Sequence, residues 1–504
     1  MSKEVELKKT LGLTGVTVNA MALIAPGAFL WLTYQLQAAQ VDTSGKSTAL
    51  DMFSGLVLAL IIALLTAISY SKLATKYPNA GTGSSYYFAE HSFMADKRLS
   101  KFSRFTKCVV GWFSHLYYWV YPGVMVAMFA VLINYIFGQF GISLSIPVQI
   151  VIAVVIAALT GLVAYRGVSG STVFSIVINV IQITTLVFIS VLAIIYRVTN
   201  PEHVTFVHKN FSSIVMPHSF TGTLFQATIA ILVLVGFESA TALAAESKSI
   251  KHVSRGVILS LLIQGLIFYM FEYFATNGWL NMSYTIGNKH GMDAAAASGA
   301  PIGDMVQNLG NVLLGNSGFI VMILVSLTVA LAVFGTTLAC MNTGVRITYA
   351  MAKDKEMPTV LNALHVKHAT PHMAVWIITI ISAAIGAFGV ISVTNLTAIT
   401  LLSNIGTFLL YGMTNIIALV AFMKQPKRNI LTTVIVPLLG FIANIGMLIA
   451  VVALGIIGGG ATQAAALIAI IATVVWAVIG IAFILINSKK QDRKIFENKK
   501  AALD

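Results

Sequence analysis

The run "ILVLVGFESATALAAE" at 231–246 places one carboxylate, Glu238, inside an apolar stretch. Glu238 is the only charged residue between Phe220 and Ala245, a length that would cross a bilayer. A charged acid at mid-membrane costs about 2.5–3.5 kcal/mol. Such a group has few uses: it accepts hydrogen bonds from its surroundings, meets a cation, or exchanges a proton as a cavity opens and closes. Gly236, two residues earlier, permits backbone dihedrals that would interrupt a helix. A broken helix exposes unpaired N–H and C=O groups. Lipid tolerates these only where protein or a water-filled cavity surrounds them. A glycine and an acid together therefore predict a polar site within the membrane.

The elements that must position this site are membrane helices. Of 504 residues, 58% are hydrophobic and 10% charged, with mean hydropathy +0.88. Soluble domains carry about 25% charged residues, so a water-soluble fold is excluded. A transmembrane β-barrel would need alternating segments of about ten residues, and the sequence has none. Apolar stretches predict twelve spans, at 14–36, 52–75, 106–137, 147–165, 171–196, 220–245, 256–276, 318–349, 372–391, 396–423, 430–456 and 464–487.

The net charge of +14 is a matter of orientation. With the N-terminus cytoplasmic, 27 Lys and Arg fall on the inner side, and only Lys46, Arg197, Lys209 and Lys289 fall outside. The positive-inside rule then places both termini in the cytoplasm, and a nucleic-acid partner is not expected. The polar start "MSKEVELKKTLGLTG" and a full-length first span give no sign of a removable signal peptide. Cys108 and Cys340 support neither a disulfide framework nor a metal site. No cofactor is expected. The longest external segment, about 277–317, reads as a loop.

Span 1 contains a second break, "ALIAPGAFLW", in which Pro26 has no N–H and Gly27 is permissive. Interrupted spans at corresponding positions in two halves of a chain point to a transporter's binding site. Spans 1 and 6 lie five apart, as an inverted five-plus-five repeat requires. Either break alone is equally compatible with a simple kink, since Gly and Pro are common in membrane helices.

Four further stretches resemble the amino acid–polyamine–organocation (APC) permease superfamily. They are "YSKLATKYPNAGTGSSYYFAEHSF" (70–93), "GFESATALAAESKSIKHVSRGV" (236–257), "APIGDMVQNLG" (300–310) and "RITYAMAKDKEMPTVLNALHVKHATPHMAV" (346–375). The resemblance implies an all-α fold of twelve membrane helices, with a five-plus-five inverted repeat like that of the sodium-coupled leucine transporters and with helices 1 and 6 broken. It divides the chain into an N-tail (1–13), a first repeat (14–196), an external loop (197–219), a second repeat (220–423), two accessory helices (424–487) and a C-tail (488–504). It also implies alternating-access transport of an amino acid or small amine across the cell (inner) membrane, by a monomer or homodimer.

Residues matching the family's substrate pocket are Leu23, Ala25, Pro26 and Gly27 in span 1 and Leu232, Val235, Gly236, Phe237 and Glu238 in span 6. The family usually has Gly-Ser-Gly where this chain has Ala25, Pro26 and Gly27, so one backbone donor for a substrate carboxylate is missing. Leu232 stands where several members place a gating aromatic. Tyr118, within the cluster Tyr117, Tyr118, Trp119 and Tyr121, offers a lid or a cation–π wall. Asn342 and Ser403 are polar at suitable depth, as are Thr343, Asn404 and Thr407, and all equally suit interhelical hydrogen bonding. For coupling, Glu238 matches a carboxylate that exchangers in the family use in proton-dependent gating. Gln182 stands at the position where proton-coupled members carry a lysine, with Asn179 on the same helical face. Coupling to protons or exchange of a second solute is expected, sodium is open, and a lysine-based switch is absent.

Other classes fit less well. A polyamine permease would want several acids along the pocket, and Glu238 has only Glu272, nearer the outer end, for company. A sensor would want a soluble signalling domain. An enzyme would want clustered catalytic residues, yet His115 stands alone in span 3.

Overall fold

The structure is a computed structural model. It describes residues 11–24, 28–167, 172–200, 215–244, 247–269, 283–368, 370–426 and 428–496. The described residues are predominantly helical. In chain order the helices are α1 (Leu13–Ile24), α2 (Ala28–Ala38), α3 (Met52–Lys76), α4 (Ser85–Met94), α5 (Ser103–Tyr118), α6 (Tyr121–Gly138), α7 (Ile146–Tyr165) and α8 (Thr172–Thr199). There follow α9 (Phe220–Ala230), α10 (Ser239–Ala242), α11 (Ile250–Leu261), α12 (Gly291–Ala297), α13 (Pro301–Leu313), α14 (Gly318–Lys353), α15 (His372–Gly389), α16 (Val393–Phe422), α17 (Val436–Ile457) and α18 (Gly460–Lys490). Among the described residues, nine helical segments are long and apolar enough to cross a membrane, and Leu13–Ala22 and Phe220–Val233 are shorter apolar helices.

Burial separates a centre from a periphery. The most apolar window of α16 is 72% buried, against 11% for that of α18. α16 is therefore the central post, packed against α3, α5, α17 and α18, while α18 turns most of its apolar surface outward, as lipid-facing helices do. Small residues and side-chain amides hold the centre together, the usual means in lipid, where apolar burial alone gives helices no reason to associate. A Cβ at Gly406 of α16 would lie 2.7 Å from the Tyr117 nitrogen of α5, so only glycine allows this approach. Asn415 of α16 accepts from Ser69 Oγ at 2.6 Å and donates to Thr66 Oγ1 at 3.0 Å, joining α16 to α3. Asn444 of α17 donates to the same Thr66 at 3.2 Å.

Helix starts follow local chemistry. Ser219, Ser249 and Ser392 cap α9, α11 and α16, each hydroxyl accepting from a backbone N–H of the first turn. Asp51 accepts from the N–H groups of His218 and Ser219, tying the start of α9 to α3.

Two features differ from the sequence reading. The third apolar span is two helices, α5 and α6, parted at Trp119–Val120. Pro122 has no N–H to give to the Tyr118 carbonyl four residues back, and the Cys340 thiol approaches that oxygen at 4.0 Å instead. Segment 277–317, expected as a loop, contains the hairpin Thr285–Ile286/Lys289–His290 and the helices α12 and α13. Pro301 occupies the first turn of α13, and Ile302, Met305, Val306 and Leu309 form its buried stripe. That apolar spacing makes the segment a packed cap.

At the Lys/Arg-rich end, the motifs at 70–93 and 346–375 meet. Lys107 of α5 reaches Glu90 at 3.1 Å and Asp354 at 2.8 Å, and Tyr86 also donates to Asp354. Arg104 pairs with both oxygens of Glu356, at 2.7 and 3.0 Å. Arg493, beyond α18, joins Glu356 at 3.3 Å. The Phe496 ring packs against Phe102 and Phe105.

Candidate functional site

The apolar run that opens at α9 is interrupted where the sequence predicts. After a 3₁₀ turn at Ile231–Val233 the backbone turns through residues 234–238 before α10 begins. Gly236 has φ +122°, a conformation that a residue with a Cβ rarely adopts. Its carbonyl accepts from the Ser239 hydroxyl at 2.6 Å and the Ser239 N–H at 3.0 Å. The short α10 restarts on that oxygen.

Glu238 is 1% exposed. Tyr118, at the C-terminus of α5, donates to Oε1 at 3.0 Å. Tyr411, in the middle of α16, donates to Oε2 at 2.8 Å, and the Gly236 N–H donates to the same oxygen at 3.0 Å. The carboxyl thus folds back on its own helix break and joins three separate elements. Hydrogen bonds to carboxylates are the stronger kind, and three of them offset much of the cost of burial. The walls are apolar and aromatic. Phe237 lies 5.2 Å from Tyr411 and 6.1 Å from Tyr70, ring centre to ring centre. Tyr70 in turn accepts from Ser85 and Thr414. Leu232 and Val235 are fully buried beside the break.

The second half of α1 is held by three side chains from other helices. Ala25, Pro26 and Gly27 lie outside the described residues, as does the side chain of Leu23. The carbonyls just before them are described. Proline at 26 has no N–H for the Ala22 carbonyl, and the Thr336 hydroxyl of α14 donates to it at 3.0 Å. Gln264, in the π turn at Leu262–Tyr269, donates to Met21 O at 3.0 Å. Asn179 of α8 donates to Val18 O at 3.2 Å.

The other sequence candidates divide. Gln182 donates to Thr328 O at 2.6 Å, linking α8 to α14 rather than reaching Glu238. Ser403 is fully buried, and its hydroxyl has no hydrogen-bond partner among the described residues. Asn404, next to it, donates to Thr228 O at 2.7 Å and holds α16 to α9. Asn342 is half-buried on α14 and is not among the donors to Glu238. Thr343 and Thr407 bond within their own helices. His115 shares a 3.1 Å hydrogen bond with Thr348 and stacks on Trp119. Glu272 lies outside the described residues. Tyr411 and Tyr70 are the residues that sequence reasoning missed. The available signal was the requirement that a buried carboxylate find donors, which directs attention to every tyrosine within a span.

A broken helix around a buried acid, inside a bundle of membrane-crossing helices, defines a multi-pass membrane transporter. Comparison with known proteins agrees. The family model described as amino acid permease matches residues 9–492. The chain belongs to the amino acid permease family. It is similar to the branched-chain amino acid permease BcaP of Bacillus subtilis, 24% identical over 449 residues that cover 84% of this chain and 83% of that protein. It is also similar to BcaP of Lactococcus lactis subsp. cremoris, 23% identical over 349 residues and 66% of each chain. The low-affinity putrescine importer PlaP of Escherichia coli is 29% identical over 282 residues, 54% of this chain and 55% of the importer.

Proposed function

We propose that this permease moves an amino acid or small amine across the cell membrane by alternating access, with Glu238 receiving the substrate's ammonium group. The observation that carries this reading is the carboxylate itself, buried at a helix break and held by Tyr118, Tyr411 and Gly236. A substrate ammonium is the natural replacement for a tyrosine donor there, because it brings both hydrogen bonds and the opposite charge. Relatives named for branched-chain amino acids and for putrescine support the same chemistry, since both kinds of solute carry a primary ammonium.

The apolar walls formed by Leu232, Val235 and Phe237 suit an aliphatic side chain. A single acid favours a neutral zwitterion or monoamine over a diamine. The rest of the pocket is assigned to Leu23, Ala25, Pro26 and Gly27 of the first break, with Asn342 and Ser403 contributing from α14 and α16.

The proposed architecture has twelve spans. Residues 14–196 and 220–423 form two inverted repeats joined by the 197–219 loop, 424–487 are accessory helices, and the tails 1–13 and 488–504 are cytoplasmic. The distribution of Lys and Arg supports that orientation in the cell membrane. Coupling is to a proton taken by Glu238 or to exchange of a second solute. Gln182 cannot gain a charge and serves the α8–α14 contact, and sodium remains an alternative coupling ion. Counterflow in proteoliposomes against a panel of amino acids and amines, with and without sodium and a pH gradient, tests the reading. Failure to exchange any solute would overturn it.

A further inference from the structure

The motif "APIGDMVQNLG" takes no part in the site around Glu238, yet it builds a second polar feature at the opposite end from the Lys/Arg-rich cluster. Asp304 of α13 is half-buried. Its Oδ1 accepts from the Tyr135 hydroxyl of α6 at 2.8 Å. Its Oδ2 accepts from the hydroxyls of Tyr284 at 2.6 Å and Ser298 at 2.5 Å. Among the described residues no Lys or Arg pairs with it. Three neutral hydroxyls hold this carboxylate, and among the described residues no counter-ion answers its charge. With about four lone-pair sites on a carboxylate, Oδ1 retains capacity for another donor.

Asp304 also lines a cavity of about 350 Å³. That volume lies within the usual range of small-molecule sites. Tyr196 and Tyr284 contribute aromatic wall, and Gln307, Asn308 and Asn311 contribute amides from one side of α13. Asn311 already commits its side-chain oxygen to the Gly318 N–H at 3.0 Å. Among the described lining residues the only formal charge is negative. Aromatic rings beside an uncompensated carboxylate suit an organic cation, whereas the carboxylate of a zwitterion would meet no cationic partner there.

We propose that this cavity is a second binding site, separate from Glu238, for a small organic cation carrying a primary ammonium group. The ammonium donates to Asp304 and to amide oxygens of the lining, and its short alkyl chain lies against Tyr196 and Tyr284. The site faces outward in the orientation proposed above, so a cation reaches it without passing the central bundle. Occupancy would hold α13 against α6 and the hairpin, in the same place where the hydroxyl cage already joins them.

The test is isothermal titration of the purified full chain in detergent with butylammonium, with L-leucine and butyramide in parallel arms. The expected result is saturable butylammonium binding that survives in Glu238→Gln and weakens at least tenfold in both Asp304→Asn and Gln307→Trp. The tryptophan fills the cavity while leaving the three hydroxyl partners of Asp304 in place. Leucine and butyramide should bind at least tenfold more weakly in the Glu238→Gln background. Absence of butylammonium binding would overturn the proposal. So would binding that Gln307→Trp leaves unchanged, which would reduce Asp304 to a fastening of the cap. Binding lost in Glu238→Gln but kept in Asp304→Asn would move the cation to the central site and also overturn it. A protein that binds butylammonium here but exchanges no solute in counterflow would instead overturn the transport reading alone.

Discussion

Tyr411 donates to Glu238 across 2.8 Å although 173 residues separate them in sequence. Tyr118, 120 residues from Glu238 on the other side, donates at 3.0 Å. The acid therefore joins the broken span to α5 and α16, and any event that changes its charge or its partners acts on all three. A substrate ammonium or a proton at this carboxyl, as proposed above, would compete with the tyrosines for the same oxygens. Under the proposed function, that competition would couple ligand binding to the contacts that Tyr118 and Tyr411 make from α5 and α16.

The first prediction concerns the charge. Glu238→Gln keeps the shape and one acceptor but cannot exchange a proton. Transport by the variant in proteoliposomes should lose its dependence on pH, either by abolition or by uncoupling. A pH profile identical to that of the unaltered protein would remove Glu238 from the coupling mechanism.

The second concerns the donors. Hydrogen bonds to charged groups contribute about 1.5–3 kcal/mol each, so Tyr411→Phe and Tyr118→Phe should each lower stability by about that amount. The two share one carboxylate, so their effects should not add. A double-mutant cycle on thermal unfolding should show a coupling of about 0.5–3 kcal/mol. Strict additivity would mean that the tyrosines do not act through Glu238.

Much of this arrangement was legible in the sequence, for definable reasons. Gly236 and Glu238 stand out because an apolar run makes any polar or helix-breaking residue conspicuous. The same contrast marks Pro26. The partners of Glu238 were only half legible. Tyr118 sits in an aromatic cluster that draws notice, but Tyr411 is one tyrosine within a long apolar helix. Its partner becomes visible only once α16 packs against α5, as at the close approach of Gly406 to Tyr117, a relationship between distant segments. The cap at 277–317 was misread for a different reason. The buried spacing of Ile302, Met305, Val306 and Leu309 was present in the sequence, but a segment between two strong membrane signals reads as connection rather than as structure.

The third prediction addresses the C-terminal end of α1. Thr336 gives the Ala22 carbonyl the donor that Pro26 cannot give. Thr336→Val keeps the volume and removes the hydroxyl, taking a donor from the half-buried Ala22 carbonyl at a cost of up to about 1–3 kcal/mol. Thr336→Ser should restore most of the loss. Equal thermal stability of the valine and serine variants would show that the contact contributes nothing.

The fourth concerns the ion cluster where the two longest motifs meet. Lys107 is buried between Glu90 and Asp354. Lys107→Met removes a cation that two buried acids share, and breaking a buried pair in this way costs about 3–5 kcal/mol. The triple variant Lys107→Met, Glu90→Gln, Asp354→Asn should recover part of that stability, because it removes the charges of both acids as well. Thermal unfolding in detergent reads both. A single variant as stable as the unaltered protein would show that the cluster is too hydrated to matter.

The last prediction separates two effects of pH at Asp304. Burial holds this carboxyl above the ordinary carboxylate range, and its three hydroxyl donors act in the opposite direction without cancelling the shift. An acid whose pKa is raised by folding binds its proton more tightly in the folded state. Its contribution to stability therefore falls as pH rises from the unfolded value, about 3.9, through the folded one, and is recovered on acidification. Asp304→Asn should remove that contribution and reduce the gain in melting temperature between pH 7 and pH 4. Butylammonium affinity should move the other way with pH, because an ammonium needs the ionised carboxylate. Acidification through the folded pKa should weaken butylammonium binding in the Glu238→Gln background while stabilising the empty cap. Measured on one sample, melting temperature and affinity should then change in opposite directions, and a parallel change would show that the cation does not meet Asp304.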